Sequence, residues 1–389
     1  MAKSPLHKTM MSINKKYGHG TILPAGEATG LVIDRLPTGI FDLDMKLGGG
    51  IPRGRITMFK GEFSTCKSAV CMRAAAAAQR YCRYCGTPFE FISFYGEVTE
   101  QDCECGRNEP MRVVWLDAEH SFDPPYAAKW GISIDDLYVI ETEYAEQAID
   151  VADAVIRSGE CDLMVVDSVA ALTPSIEVAE SSEKWQMGVM ARLMNKALRK
   201  WTSGMNSFGL LSETNVTIIL VNQMRVSIGG YRPTMTSPGG KGLDFYESVE
   251  VRFKKDDLLL DPVTKRPIGL QVDFVVKKNK TAPPAPPGGS FALYFVPKPG
   301  QYQVGSTDLD MQVLKAAIFW KLIVKKGSWY QLPGGEKFQG LRPTAECLKE
   351  NPELLSSLME EIEARELAWV NTGDAGETEV EVEEEEEDD

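Results

Sequence analysis

Apolar residues gather in this chain as short unbroken runs, each closed by a polar residue. The runs are Arg55-Ile-Thr-Met-Phe59, Arg112-Val-Val-Trp-Leu-Asp117, Asp162-Leu-Met-Val-Val-Asp167 and Thr217-Ile-Ile-Leu-Val221. Runs of this length without polar alternation predict strands buried on both faces. Between them the spacing changes to a helical period over Ala69–Arg80, Tyr144–Arg157 and Gly188–Thr202. The last of these helices carries Arg192, Lys196, Arg199 and Lys200. Strands alternating with helices predict an α/β fold on a parallel sheet, with motifs collected at strand carboxyl ends. Two more strands are expected at Ser248–Phe253 and Gly269–Val276, and from about Leu309 the pattern becomes a small α+β unit. Ahead of the first long strand lie a Lys-rich, weakly helical arm to about Gly30, a short helix at Phe41–Asp44 and a glycine loop from Gly48 to Gly54.

The first run leads directly into Lys60-Gly-Glu-Phe-Ser-Thr-Cys-Lys-Ser68 and then a helix. Gly61 and Lys67-Ser68 have the spacing of a phosphate-binding loop. There backbone N–H groups and a helix N-terminus face the anion, the lysine reaches the β and γ phosphates, and the hydroxyl meets Mg²⁺. Cys66 stands where that motif has glycine, so its Cβ either crowds the phosphate or resists the backbone angle that glycine tolerates. The second run ends at Asp117-Ala-Glu119, a carboxylate placed to orient and deprotonate an attacking water. The third ends at Asp167, the pattern that holds Mg²⁺ beside a phosphate-binding loop. The fourth ends at Asn222-Gln223 and opens into a stretch from Met224 to Gly240 with Arg225, Ile228, Tyr231 and Arg232. A loop that long in a compact domain is expected to be functional.

Cys82-Arg-Tyr-Cys85 and Cys103-Glu-Cys105 form two close pairs about twenty residues apart, the arrangement of a four-thiolate Zn²⁺ site. The second pair is CxC instead of CxxC, and four incidental thiols are the alternative. Eight cysteines with clustered pairs point to a reducing, cytoplasmic location. With 43% hydrophobic and 25% charged residues the chain is an ordinary globular sequence. It has no apolar run long enough for a membrane span, so no membrane partner is expected. The net charge of −14 argues at first against nucleic acid, yet Asp374 to Asp389 holds eleven acidic residues and no basic one. Removing those eleven charges from −14 leaves −3 for the rest. The run Glu383–Asp389 reads as a solvated acidic tail, or as a competitor for basic DNA-binding surfaces.

Ala118-Glu-His120 with Asp123-Pro and Tyr126, Val166-Asp-Ser-Val-Ala-Ala-Leu-Thr-Pro174, Asn222-Gln223-Met-Arg225 and Lys278-Asn-Lys280 occur in that order. Together they resemble the bacterial and phage RecA family of strand-exchange recombinases, over about Ile13 to about Leu367. The resemblance implies a RecA-type P-loop ATPase core with a mostly parallel twisted sheet, a short N-terminal arm and a small C-terminal α+β domain. It places the arm at 1–30, the core at 31–305 with a cysteine-rich insertion at 81–110, the small domain at 306–370 and an acidic tail at 371–389. It implies ATP with Mg²⁺ at Gly61, Glu62, Phe63, Ser64, Thr65, Cys66, Lys67, Ser68, Ala69 and Asp167. Asp123, Tyr126 and Tyr294 would complete the nucleotide contacts, Tyr126 by stacking on adenine. Glu119 would activate water and Gln223 would sense the γ-phosphate, while Lys278 and Lys280 would reach a neighbouring subunit's ATP. Met187, Ile228 and Tyr231 would wedge between bases, and Gly188, Arg192, Arg199, Arg225, Gly239 and Gly240 would meet the DNA backbone.

The implied activity is DNA-dependent ATP hydrolysis by helical filaments that pair and exchange single-stranded and double-stranded DNA. Single-strand-binding or loader proteins are implied as further partners. A filament scaffold that binds ATP but hydrolyses it weakly, because of Cys66, is one alternative, and a ring-forming ATPase of the same superfamily is another. On spacing alone Lys278 and Lys280 read as a solvated basic turn before they read as a site, and Glu119 has an alternative reading as a helix-capping carboxylate. The chain departs from the family pattern at Cys66, in a shorter arm, in the cysteine insertion and at Asp244. There the family has a lysine that bridges subunits, with Lys241 nearby as a substitute.

Overall fold

A computed structural model of the chain describes residues 4–18, 21–22, 24, 33–92, 98–179, 188–205, 216–227, 234–236, 240, 242–299 and 301–372. Two units are distinguished, Met1–Thr307 and Asp308–Asp389. The first opens with α1 (Pro5–Tyr17), β1 (Arg35–Leu36), α2 (Phe41–Leu47), β2 (Ile51–Pro52), β3 (Ile56–Gly61) and α3 (Lys67–Ala78). β4 (Glu90–Ile92), β5 (Val98–Glu100), β6 (Val113–Asp117), α4 (Pro124–Lys129), β7 (Leu137–Ile140), α5 (Ala145–Ser158) and β8 (Leu163–Asp167) follow. Then come α6 (Ser175–Ala179), α7 (Val189–Met205), β9 (Thr217–Gln223), β10 (Arg225–Ser227), β11 (Thr234–Thr236), α8 (Gly242–Tyr246), β12 (Val249–Leu260), β13 (Pro267–Asn279) and β14 (Gly288–Tyr294).

Eight of these strands form one sheet in the order β14-β13-β12-β3-β9-β8-β6-β7. From β12 to β7 every pairing is parallel, and β13 and β14 add antiparallel strands at one edge. The unbroken apolar runs occupy the middle of this sheet, and strand alternation sorts each run into two cores. Phe59, Val113, Trp115, Leu163, Val165, Ile219 and Val221 face one cluster with α3. Met58, Val114, Leu116, Met164, Val166, Ile218 and Leu220 face the other with α5 and α7. Both faces are covered, which is why the runs carry no polar alternation. The alanines of α3, buried from Ala74 to Ala78, let that helix lie against the sheet without gaps.

Several elements differ from the sequence expectation. α4 and β7 are present although their short, mixed sequences carry no clear period, and β14 forms immediately after the proline-rich turn. β2 forms within the expected glycine loop by pairing with β1. β12 and β13 run well past the predicted ends as a long hairpin, because antiparallel pairing satisfies their backbones beyond the point where burial stops.

The second unit packs α9 (Leu309–Phe319), a three-stranded antiparallel sheet of β15 (Val324–Lys326), β16 (Trp329–Gln331) and β17 (Lys337–Gln339), α10 (Leu341–Glu350) and α11 (Pro352–Thr372). Leu314, Ala317, Ile323, Leu348 and Ile362 are among its buried residues.

Candidate active site and metal cluster

β3, β6, β8 and β9 end side by side, and a cavity of about 320 Å³ opens at their carboxyl ends. Its lining is Phe63 to Ala69, Glu119, Asp167, Val221 and Gln223. At the loop's start the backbone passes so close to β12 that a Cβ on Gly61 would lie 2.6 Å from the Phe253 carbonyl oxygen. At its end Cys66 takes the left-handed conformation, φ 65°, immediately before α3. Cysteine is therefore accommodated where the motif has glycine, at the cost of a backbone that disfavours a Cβ. Burial pushes its thiol up to about 12 despite Lys67 and Lys255 nearby, so it stays neutral.

Lys67 leads α3 and turns its ammonium back into the loop, 2.6 Å from the Glu62 carbonyl, 3.2 Å from that of Gly61 and 3.2 Å from Thr65 Oγ1. Burial lowers its pKa, while Asp167 and Glu119 oppose that shift. Asp167 moves the other way, up to about 6. Burial dominates, the Ser68 hydroxyl favours the ionised form, and Glu119 and Asp117 disfavour it. Asp167 Oδ1 is buried without a hydrogen-bond partner. An orphaned carboxylate oxygen beside a hydroxyl is the hard-oxygen donor set that Mg²⁺ prefers, so the residues fit that ion.

Glu119 Oε1 accepts from Ser168 Oγ at 2.7 Å and from Gln223 Nε2 at 3.2 Å. Ser168 was not marked by the sequence, although its place directly after Asp167 is a usable signal. Asp117 shapes the same turn by accepting from the Phe122 backbone N–H at 2.7 Å. Gln223 is the last residue of β9, and the next backbone N–H, that of Met224, donates to Gly61 at 2.9 Å. The β10–β11 hairpin thus begins on the phosphate loop itself.

The other expected nucleotide contacts lie outside the cavity lining. Asp123 caps α4 through the Tyr126 N–H at 3.3 Å, and Tyr126 stands edge-on to Trp130 at 5.9 Å. Tyr294 stacks on Tyr302 at 4.0 Å. Lys278 and Lys280 sit at the end of β13 and beyond it, also away from the cavity, and Lys278 lies 3.7 Å from Glu247.

Of the expected DNA contacts, Met187, Ile228, Tyr231 and Gly239 lie outside the described residues, as does Lys241. Arg192, Lys196 and Arg199 are exposed along one face of α7, opposite buried Met194, Ala197, Leu198 and Trp201. Gly188 accepts from the Arg192 N–H at 3.1 Å at the start of that helix. A Cβ on Gly240 would meet Ala191 at 2.8 Å, so Gly240 rests against the first turn of α7. Arg225 is exposed at the root of β10.

The four insertion cysteines converge, with all Sγ atoms within 4.8 Å of one another. Cys105 Sγ lies 3.6 Å from Cys82 Sγ and 3.5 Å from Cys103 Sγ. Zn–S bonds of about 2.3 Å in a tetrahedron separate sulfurs by about 3.8 Å, close to these values. Each pair closes its own turn, a residue longer at Cys82–Gly86 than at Cys103–Gly106. Gly86 and Gly106, each following its second cysteine with φ near 70° (72° and 69°), donate back to the Cys82 and Cys103 carbonyls. Burial raises the Cys85 pKa, but hydrogen bonds from Thr87 and Cys105 outweigh it and bring the thiol down to about 6. Cys105 is pushed up to about 12. The Arg107 N–H favours its thiolate, yet burial and hydrogen bonds to Cys85, Cys103 and Cys82 prevail. Four thiols this close cannot all ionise without a cation, and a soft divalent ion would let them.

The family model for the RecA N-terminal domain matches residues 4–90 and 102–295, and its interruption falls between Cys85 and Cys103. Protein RecA of Fusobacterium nucleatum subsp. nucleatum is 36% identical over 355 residues, 91% of this chain and 82% of that protein. Protein RecA of Thermus aquaticus is 34% identical over 94% of each chain. That of Leifsonia xyli subsp. xyli is 35% identical over 92% of this chain and 88% of its own.

Proposed function

This chain belongs to the RecA family, and from that premise we propose how its own residues perform ATP-dependent recombination. The protein is a DNA-dependent ATPase that assembles on DNA and acts in recombination and repair. Lys67 and the backbone N–H groups from Ser64 to Ser68 bind the phosphates, and Ser68 and Asp167 hold Mg²⁺, which neutralises phosphate charge when bound. Glu119 is the general base. The hydroxyl of Ser168 and the amide of Gln223 both donate to one of its oxygens, which aims the carboxylate into the cavity. Gln223 also leads into the β10–β11 hairpin, so a shift of its amide at the γ-phosphate is passed to the DNA-binding segment. Asp123 and Tyr126 take the adenine, Tyr294 is a further nucleotide contact, and Lys278 and Lys280 reach a neighbour's ATP across the filament interface.

DNA is held by the exposed arginines of α7 and by Arg225, with Met187, Ile228 and Tyr231 as wedges between bases. Residues 1–30 form the assembly arm, and 371–389 an acidic tail that competes for basic surfaces. Single-strand-binding or loader proteins are further partners. Among the described residues no helix is long and apolar enough to cross a membrane. The protein acts in the cytoplasm. The cysteine cluster is a structural Zn²⁺ site, closed by four thiolates with no open position.

The observation that carries this reading is the Glu119 carboxylate held on the cavity that contains Lys67 and Asp167. Glu119→Gln keeps the shape and removes the base. Single-stranded-DNA-dependent phosphate release should fall by about 10²–10⁴-fold, while ATP and DNA binding persist. Undiminished release in that variant would refute the assignment.

A further inference from the structure

Apart from Lys278, the charges grouped around buried Lys60 take no part in the steps above. Lys60 immediately precedes Gly61 in β3, and a lysine buried in a central strand must find carboxylates or lose its proton. It finds three. Its Nζ lies 2.9 Å from Asp244 Oδ1, 2.9 Å from Glu250 Oε2 and 3.5 Å from Glu247 Oε2. The side chains of Lys60 and Glu247 are only 4% and 1% exposed. Arg252 Nε binds the other Glu250 oxygen at 2.5 Å. On the far side of Glu247 stands Lys278, with Nζ 3.7 Å from Oε1 and donating to the backbone carbonyl of Asp244. Three carboxylates thus meet three cations, in a chain of contacts running from the phosphate-loop strand to Lys278.

We propose that Glu247 is a positioning residue for Lys278, secured by Lys60, so that the lysine offered to a neighbouring subunit is held by the strand carrying this subunit's own phosphate loop. The proposal rests on the reading of Lys278 as a residue that acts in trans. An ammonium has three N–H donors. The Asp244 carbonyl engages one of them, and Glu247 faces the ammonium as an ion-pair partner at 3.7 Å with no hydrogen bond to its carboxylate, which leaves donors for an outward phosphate oxygen. The backbone beneath is already fixed. The Lys280 N–H donates to Ser248 at 3.0 Å, Asn279 Nδ2 donates to the Leu47 carbonyl at 3.2 Å, and Arg35 holds the Thr281 carbonyl. What remains to be set is the Lys278 side chain, and Glu247 and Asp244 are the groups that set it.

The electrostatics agree. Burial lowers the Lys278 pKa, and Glu247 is the largest opposing influence, with Lys280 adding to the lowering and Asp244 and Glu250 resisting it. Burial and Glu250 push Glu247 itself up to about 7, against Lys60 and Lys278. Glu250 is held down at about 2, because hydrogen bonds from Lys60 and Arg252 outweigh its burial. Near neutral pH, then, Glu247 is the carboxylate that changes charge. It protonates as pH falls through about 7 and its hold on Lys278 weakens.

Glu247→Gln preserves shape and removes that charge. In DNA-stimulated turnover by the full chain, kcat should fall about tenfold with KM for ATP within about twofold of wild type. The acid-side titration of kcat near pH 7 should vanish. Mixing with Lys67→Ala protein, whose own loop is inactive but whose Lys278 is intact, should raise turnover per Glu247→Gln subunit severalfold, with co-assembly verified by labelled subunits. Lys60→Met should show the same loss and the same rescue. Wild-type kcat and pH profile in Glu247→Gln would overturn the proposal, and so would a loss that mixing does not rescue. Lys278→Ala run alongside separates the two ideas. Full turnover there removes the trans-acting lysine itself, whereas its loss beside an unaffected Glu247→Gln removes only the positioning role.

Discussion

Glu119 and Gln223 meet across 104 positions of sequence, each carried to the cavity by its own strand of one sheet. Cys82 and Cys105 meet across 23 positions, in a segment with two short strands, β4 and β5, between them. The first site inherits its rigidity from two apolar cores, so its residues can be changed chemically without disturbing their placement. The second has too few residues for a core, and its geometry depends on what the sulfurs bind. The knuckle is nevertheless tied to the sheet. Arg83, next to Cys82 and 3% exposed, lies 3.3 Å from Asp162 at the base of β8 and 2.9 Å from Glu160. The strand whose far end supplies Asp167 to the ATP cavity is therefore braced at its near end by the cysteine segment.

That brace offers the largest break in the comparison. Arg83→Ala leaves the fully buried Asp162 carboxylate only the Arg112 backbone N–H at 2.9 Å, and losing the charged partner of a buried pair costs about 3 kcal/mol. Chemical denaturation of the whole chain should register that loss, and a change below about 0.5 kcal/mol would mean that the knuckle and sheet are energetically separate. Next in size is the metal. Purified protein should carry one zinc per chain by elemental analysis. The double variant Cys82→Ser, Cys85→Ser should lose it and expose the insertion to protease, while nucleotide binding stays within about threefold of wild type. Native protein that contains no zinc yet resists protease would show the four thiols to be incidental. The smallest effect is expected inside the phosphate loop. Cys66→Gly relieves a left-handed cysteine and should raise stability by about 1 kcal/mol or leave it unchanged, since glycine gives back some of the gain as chain entropy. Nucleotide affinity should rise with it, and weaker binding in Cys66→Gly would show that the thiol contributes a contact of its own.

Much of the phosphate site was legible because its signals are local. A buried strand, a glycine, Lys67-Ser68 and a helix start are adjacent in sequence, and strands ending in Glu119, Asp167 and Gln223 announce themselves by apolar runs that stop at a polar residue. The cysteine pairs were legible for the same reason, as two turns with ligands at fixed offsets. Ser168 was missed, since its place after Asp167 does not say what it binds until β6 brings Glu119 within 2.7 Å of it. The short α4 and β7 were hidden because neighbours, not period, stabilise them.

The sequence by itself determined the α/β class, the order of the strands' motifs, the phosphate loop with its one irregular residue, the paired cysteines and the acidic tail. Each follows from residues close together in the chain, where period, turn chemistry and ligand spacing act directly. Tertiary structure alone decided that Lys60, Glu247, Glu250, Arg252 and Lys278 form one charge cluster, and that Arg83 braces β8. It also made Cys66 adopt a left-handed backbone. Lys60 reads in sequence as a lysine at a strand end, and Glu247 as one acid among many. Only the pairing of β3 with β12, together with the turn from α8 into β12 that carries Glu247, places them within ion-pair distance, because buried Lys60 has no partner except those the fold brings to it.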